Sequence, residues 1–184
     1  MQTGRLIVLT GPSGVGKGTL LRLLLKNHPE LCLSVSATTR QPRPGEIDGQ
    51  DYYFVSRQKF EQMVADNELL EWAEYAGNYY GTPHAPVEHL LQQGKSVILE
   101  IEVLGANKVK KCLPQVERIF ILPPSLTELE QRMRRRAKDS EEAIAKRLSI
   151  AKSELEQSAQ FDWQIVNDDR EKALSEIEGV IFAE

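Results

Sequence analysis

The sequence predicts an α/β fold, a central parallel sheet with helices on both faces. Three observations carry this reading. Short continuous apolar runs occur at Leu6–Thr10, 31–36, 96–102, 118–122 and 164–166. Longer amphipathic stretches separate them, at 17–26, 57–66, 84–93, 105–111, 125–136, 140–158 and 170–182. A glycine-rich turn, Gly11-Pro12-Ser13-Gly14-Val15-Gly16-Lys17, joins the first run to the first amphipathic stretch. Strands buried on both faces read as unbroken apolar runs, and their alternation with helical periodicity is the pattern of parallel βαβ units.

Composition sets the outer bounds. The chain has 184 residues, 41% hydrophobic and 27% charged, with a net charge of −4. That length suits one compact domain able to bury its own core. The net negative charge offers no bulk positive field, so neither nucleic acid nor a membrane is expected as a partner. Cys32 and Cys112 lie far apart and match no metal or redox spacing, which suits small hydrophobes in a reducing compartment. Nothing approaches the ~18 apolar residues of a spanning helix, and the N-terminal run is too short for a signal core. A cytoplasmic location is the expectation. Oligomeric state is left open between monomer and homo-oligomer.

Two regions break the rhythm. Residues 37–82 are polar, turn-rich and hold all the tyrosines. Residues 132–140 form a dense basic stretch. Both read as insertions in a single domain, with a core at 1–36, 83–125 and 148–184 and a short lid at 126–147.

The turn at 11–17 has the spacing of a phosphate loop. Its glycines let successive backbone N–H groups turn inward, and the helix that follows points its positive end at the same spot. Lys17 adds a mobile positive charge for the outer phosphates. Gly18 stands where Ser or Thr ordinarily ligates Mg²⁺, and Thr19 follows. Either Thr19 takes part of that role, or Mg²⁺ is held through waters oriented by carboxylates elsewhere. The spelling Gly16-Lys17-Gly18-Thr19 resembles the loop of adenylate kinases, so the loop says nucleotide kinase without saying which.

Further on, Ser34-Val-Ser36-Ala-Thr38-Thr39-Arg40-Gln-Pro-Arg43-Pro-Gly45-Glu46 sets two arginines three apart in a rigid non-helical segment. Such a pair forms a fork for a phosphate dianion. Asp51-Tyr52-Tyr53-Phe54, Glu71-Trp72-Ala73-Glu74, Gly77-Asn78-Tyr79-Tyr80-Gly81-Thr82 and Ile165-Val166-Asn167-Asp168 follow in order. On these motifs the chain resembles guanylate kinases from end to end.

The resemblance implies a P-loop nucleoside-monophosphate kinase fold that moves the γ-phosphoryl of ATP, as Mg-ATP, onto GMP and onto dGMP. It makes residues 37–82 the GMP-binding region. Arg40, Arg43, Tyr52 and Tyr80 match the positions that hold the GMP phosphate. Glu71 matches the acceptor for the guanine N1–H and amino group, with Ser36 and Thr82 hydrogen-bonding the base beside it. An ionised carboxylate there would be left unpaired by adenine, which is the physical basis for rejecting AMP.

Gly11, Pro12, Ser13, Gly14, Val15, Gly16, Lys17, Gly18 and Thr19 are the expected ATP loop. Asn167 matches the position that meets adenine, although a turn-forming Asn at a strand end explains it as well. Glu100 is expected to orient Mg²⁺-bound water and Glu102 to reach toward guanine or ribose; the family has aspartates at both places. Arg136 and Arg147 match the lid cations that neutralise the transferring phosphoryl group. Lys17, Arg40, Arg136 and Arg147 thus form the expected catalytic set. Some arginines of the basic run have a blander role, since Glu128–Arg132 and Glu130–Arg134 are i,i+4 pairs. Ser140 or Asp139 is expected to cap the next helix. The rival readings are a kinase for AMP or a phosphorylated sugar, and a binding module without turnover.

Overall fold

The computed structural model describes residues 4–75, 77–136 and 140–183, the Arg136 side chain excepted. Along the chain run β1 (Leu6–Thr10), α1 (Lys17–Asn27), β2 (Cys32–Leu33), β3 (Ala37–Thr38) and β4 (Tyr53–Phe54). Then come α2 (Arg57–Ala65), β5 (Leu69–Tyr75), β6 (Asn78–Pro83), α3 (His84–Gln92), β7 (Val97–Glu100) and α4 (Val103–Cys112). The last are β8 (Glu117–Leu122), α5 (Leu126–Arg136), α6 (Glu141–Glu156), β9 (Trp163–Val166) and α7 (Arg170–Ile181). They divide into two compact units. One comprises the chain up to Leu6, Glu30–Glu100 and Leu104–Val116; the other comprises Ile7–Pro29, Ile101–Val103 and the chain from Glu117 onward.

In the second unit β1 pairs in parallel with β8, from Ile7 opposite Glu117 to Thr10 opposite Phe120. Strand β8 pairs in parallel with β9, from Ile119 opposite Trp163 to Leu122 opposite Val166. Ile7, Val8, Leu9, Ile119, Phe120 and Ile121 are all buried, as the unbroken apolar runs required. Helix α1 turns Leu20, Leu21 and Leu24 inward and stops at His28, immediately before Pro29. Helix α7 does the same with Ala173, Ile177, Val180 and Ile181, capped by Asp169, which accepts from Lys172 N. Ser140 caps α6 by accepting from Ala143 N, while Asp139 lies outside the described residues.

In the first unit β2 pairs in parallel with β7. The run at 31–36 contributes only Cys32–Leu33 to that ladder. Its end already serves another sheet, because Ser36 O accepts from Tyr53 N at 2.9 Å. The region 37–82, read from sequence as irregular apart from its helix, is a correction: it forms a four-stranded sheet of order β4-β3-β6-β5. Strand β3 is parallel to β4 and antiparallel to β6, and β5 and β6 form a hairpin with Glu71 opposite Thr82. The cause is a small core of unusual composition. Ala37, Phe60 and Met63 are buried, and Tyr53, Val55, Leu69, Trp72 and Tyr79 pack around them. Phe60, Trp72 and Tyr79 meet with ring centroids 5.4–6.5 Å apart, so aromatic rings replace the aliphatic alternation that announces a strand. Among the described residues no helix is long and apolar enough to cross a membrane.

Candidate active site

The loop of the second unit is held open by two close approaches. Gly11 has φ +146, and a Cβ there would lie 2.5 Å from Ile121 O. Gly16, with φ +102, would bring a Cβ to 2.5 Å from Asn167 Nδ2. Gly16 is also the N-cap of α1, without a side-chain cap and with no acid in the first turn. The helix therefore begins with backbone donors that no local carboxylate has neutralised, the standard preparation for an anion. Val15 N closes the turn onto Pro12 O at 3.2 Å. Lys17 Nζ donates to Gly11 O at 3.0 Å, which keeps the ammonium over the loop.

Other elements of this unit reach the same loop. From α6, Arg147 donates to Ser13 Oγ at 2.8 Å. At the end of β9, Asn167 is buried and its Nδ2 donates to Val15 O at 2.8 Å. Arg132 of α5 donates to Val15 O at 3.2 Å and to Asn167 O at 3.1 Å, while pairing with Glu128 at 3.0 Å. Gly14, Gly16, Thr19, Arg132, Asn167 and Asp168 line a cavity of about 560 Å³. Gly18 is exposed at the start of the helix, its carbonyl accepting from Arg22. Elsewhere in the basic run, Arg134 pairs with Glu130 and Glu141. The Arg136 side chain lies outside the described residues.

Glu102 follows the end of β7, and its exposed carboxylate meets Glu154 of α6. Burial first, then the charge of Glu102 and the hydrogen bond with it, push the Glu154 carboxyl up to about 7; Lys17 opposes this. The described contacts thus set Glu102 among residues of the loop's unit.

In the first unit Glu71 is 7% exposed on β5. It accepts from Thr82 Oγ1 at 2.7 Å across the hairpin. Gly105 of α4 backs it so closely that a Cβ there would lie 2.5 Å from Glu71 Oε2. The Arg40 guanidinium lies 5.4 Å from the Tyr52 ring centre and 5.7 Å from that of Phe54. Tyr52 meets Tyr80 edge-on at 6.2 Å, and the Glu46 carboxylate first, then Tyr80 more weakly, raise the Arg40 guanidinium above its ordinary value. Burial, and next the negative charge of Glu100, push the Tyr52 phenol above its ordinary value. It therefore stays a donor at neutral pH. Arg43 is exposed with its backbone N–H donating to Glu46. Ser36 is half-buried where the chain enters the second sheet. Tyr79 turns the other way, as strand alternation dictates, and its hydroxyl accepts from Arg57.

Four residues with a part in this geometry escaped sequence reasoning. Arg132 was hidden by its i,i+4 pairing with Glu128, and Glu154 by its resemblance to a solvated helix carboxylate. Gly105 carries no signal outside the tertiary contact, and Glu46 shows its part only once its local turn is folded back onto Arg40. Among the described residues no three His, Cys, Asp or Glu side chains gather as a metal cage.

Comparison with known proteins bears on all of this. Residues 3–184 match the family model described as guanylate kinase. A guanylate kinase of Thermosynechococcus vestitus is 62% identical over 182 residues, covering 99% of this chain and 95% of that protein. One from Synechocystis sp. is 59% identical over 181 residues, covering 98% and 95%. The crystal structure of guanylate kinase from Anaplasma phagocytophilum superposes with a TM-score of 0.81 at 36% identity, covering 99% of this chain and 86% of that one.

Proposed function

The chain belongs to the guanylate kinase family, a family of phosphotransferases, and from that premise we propose how its residues move the γ-phosphoryl of ATP onto GMP to give ADP and GDP. The observation that carries the guanine assignment is Glu71, a buried carboxylate with Thr82 donating to it and no side chain on Gly105 to displace it. A carboxylate acceptor of this kind pairs with the adjacent N1–H and amino donors of guanine, and adenine does not present that pair of donors to it. Ser36 and Thr82 complete the base contacts. Arg40, Arg43, Tyr52 and Tyr80 bind the acceptor phosphate, two planar forks and two phenol donors for its oxygens.

On the donor side, the backbone of Gly11, Pro12, Ser13, Gly14, Val15, Gly16, Gly18 and Thr19 takes the phosphates of ATP, and Lys17 neutralises their outer charge. Asn167 and Arg132 form the wall for the base. Arg147 and Arg136 stabilise the transferring group, whose charge spreads over its equatorial oxygens. The reaction is an in-line transfer without a covalent enzyme intermediate, with a GMP phosphate oxygen as the nucleophile. The protein positions the partners, supplies cations and excludes water.

Reactions of this class generally depend on Mg²⁺, which reaches the enzyme with ATP and shields the developing phosphate charge. The Thr19 hydroxyl and the Glu100 carboxylate, acting through water, are hard oxygen donors suited to an ion that keeps several waters and takes phosphate oxygens as ligands. In this reading residues 37–82 are the GMP-binding region and 126–147 the lid. The work is cytoplasmic recycling of GMP and dGMP.

The test is ADP formation from Mg-ATP with GMP, dGMP, AMP, CMP and UMP offered separately, beside an acceptor-free control. Turnover confined to guanine nucleotides is the expected result. Equal turnover with AMP would sink the role given to Glu71.

A further inference from the structure

Arg43-Pro44-Gly45-Glu46 is a tight turn. Glu46 N donates to Arg43 O at 3.0 Å, Pro44 stands second, and Gly45 has φ +90, the signature of a type II turn. A Cβ on Gly45 would meet nothing within 4 Å, so the glycine serves backbone conformation. The turn folds the Glu46 side chain back over the segment it closes. Its Oε2 accepts from Arg43 N at 2.7 Å, and its Oε1 accepts from Arg40 NH2 at 2.8 Å. One carboxylate thereby ties together both arginines of the fork. Arg40 NH1 donates to Gln41 O at 2.7 Å, which sets the guanidinium plane beside Tyr52 and Phe54. The chain beyond Glu46 is pinned in turn: Asp51 Oδ2 accepts from Ile47 N at 2.7 Å and Asp48 Oδ1 from Phe54 N at 2.8 Å.

We propose that Glu46 is a positioning residue for acceptor-phosphate recognition, fixing the Arg40 guanidinium and the Arg43 turn so that the phosphate of GMP meets an assembled fork. The proposal rests on the reading of Arg40 and Arg43 as phosphate-binding residues. Two effects of opposite sign compete here. A carboxylate next to the fork repels a dianion; it also removes the rotamer freedom of a long cationic side chain, one of the largest ordering costs a binding site meets. The geometry favours ordering. The pair is largely shielded, with side chains 15% and 19% exposed, and a guanidinium carries five donors, so bonds to Glu46 and Gln41 leave others for phosphate. The hydrogen bond from Arg40, and then that from the Arg43 backbone, hold the Glu46 carboxyl below its ordinary value, so it is ionised throughout the neutral range.

Calorimetric titration of the full chain with GMP and with guanosine separates the phosphate contribution from that of the base. Glu46→Gln keeps the shape and removes the charge. It is expected to weaken GMP about tenfold, the scale of a lost charge-assisted bond, and to leave guanosine unchanged. In an Arg40→Gln background the same substitution should have a clearly smaller effect than in the parent chain, because only the Arg43 turn is then left for Glu46 to hold. Equal weakening of GMP and guanosine would mean a merely structural role. Unchanged or tighter GMP binding, or full additivity with Arg40→Gln, would also overturn the proposal. An Arg40→Gln variant that binds GMP normally would overturn the phosphate-fork reading itself, a different failure visible without Glu46.

Discussion

The donor and acceptor parts of this molecule solve a similar problem with different materials. Around the loop of the second unit, the phosphate recognition proposed for it is written in backbone. Consecutive residues from Gly11 to Gly16 turn the chain, and the uncapped start of α1 supplies the field. In the first unit, the proposed recognition is written in side chains carried by separate elements. Arg40 lies beyond β3, Tyr52 before β4, Glu71 on β5, Thr82 on β6 and Gly105 on α4. A backbone site needs only that small residues permit unusual φ values and close approach. A side-chain site needs several elements to pack in one register, because a slip of one residue would turn Glu71 or Thr82 to the other face of the sheet.

The sharpest way to break this comparison is at the donor loop. Lys17→Met leaves the backbone nest intact and removes its mobile cation, so kcat should fall by about 10³-fold while GMP affinity is unchanged. Steady-state kinetics checks this, and a parallel loss of GMP binding would refute the division of labour. Next in size is the acceptor carboxylate. Glu71→Gln should lower kcat/KM for GMP about 10²-fold without a matching loss of ATP affinity. Gly105→Ala should do the same on a smaller scale, about tenfold, by crowding Glu71 Oε2. If Gly105→Ala lowers thermal stability but leaves GMP kinetics alone, the close approach is packing and nothing more.

The smallest effect concerns Glu154. Its carboxyl is raised from 4.5 to about 7 in the folded chain, so its contribution to stability is complete below about pH 4.5 and is lost as pH rises through 7. Glu154→Gln should therefore flatten the fall of Tm between pH 4.5 and 7 relative to the parent chain. Parallel Tm profiles would show that the pair with Glu102 does not share a proton.

Much of the fold was legible because its signals are local. Val8 and Leu9 in an unbroken apolar run, the stripe Leu20-Leu21-Leu24, and Pro29 after α1 each report on structure within a few residues. The second sheet was not legible. Its strands β3 and β4 have two residues each, and β5 and β6, which carry Trp72 and Tyr79, give no clean period of two. Glu128 with Arg132 shows the same limit in one pair. The salt bridge was readable from spacing, and the bonds from Arg132 to Val15 and Asn167 were not, since those partners are more than thirty residues away.

By itself the sequence determined the parallel α/β class, the glycine-rich turn that opens α1, and the membership that the ordered motifs announced. Tertiary structure alone decided that 37–82 contains a four-stranded sheet, that Glu71 is buried against Thr82 and Gly105, and that Glu102 meets Glu154. The division follows from range. Backbone conformation and helical periodicity are set by neighbours in the chain, whereas burial, proton sharing and the orientation of a charged side chain are set by whatever the folded chain brings beside them.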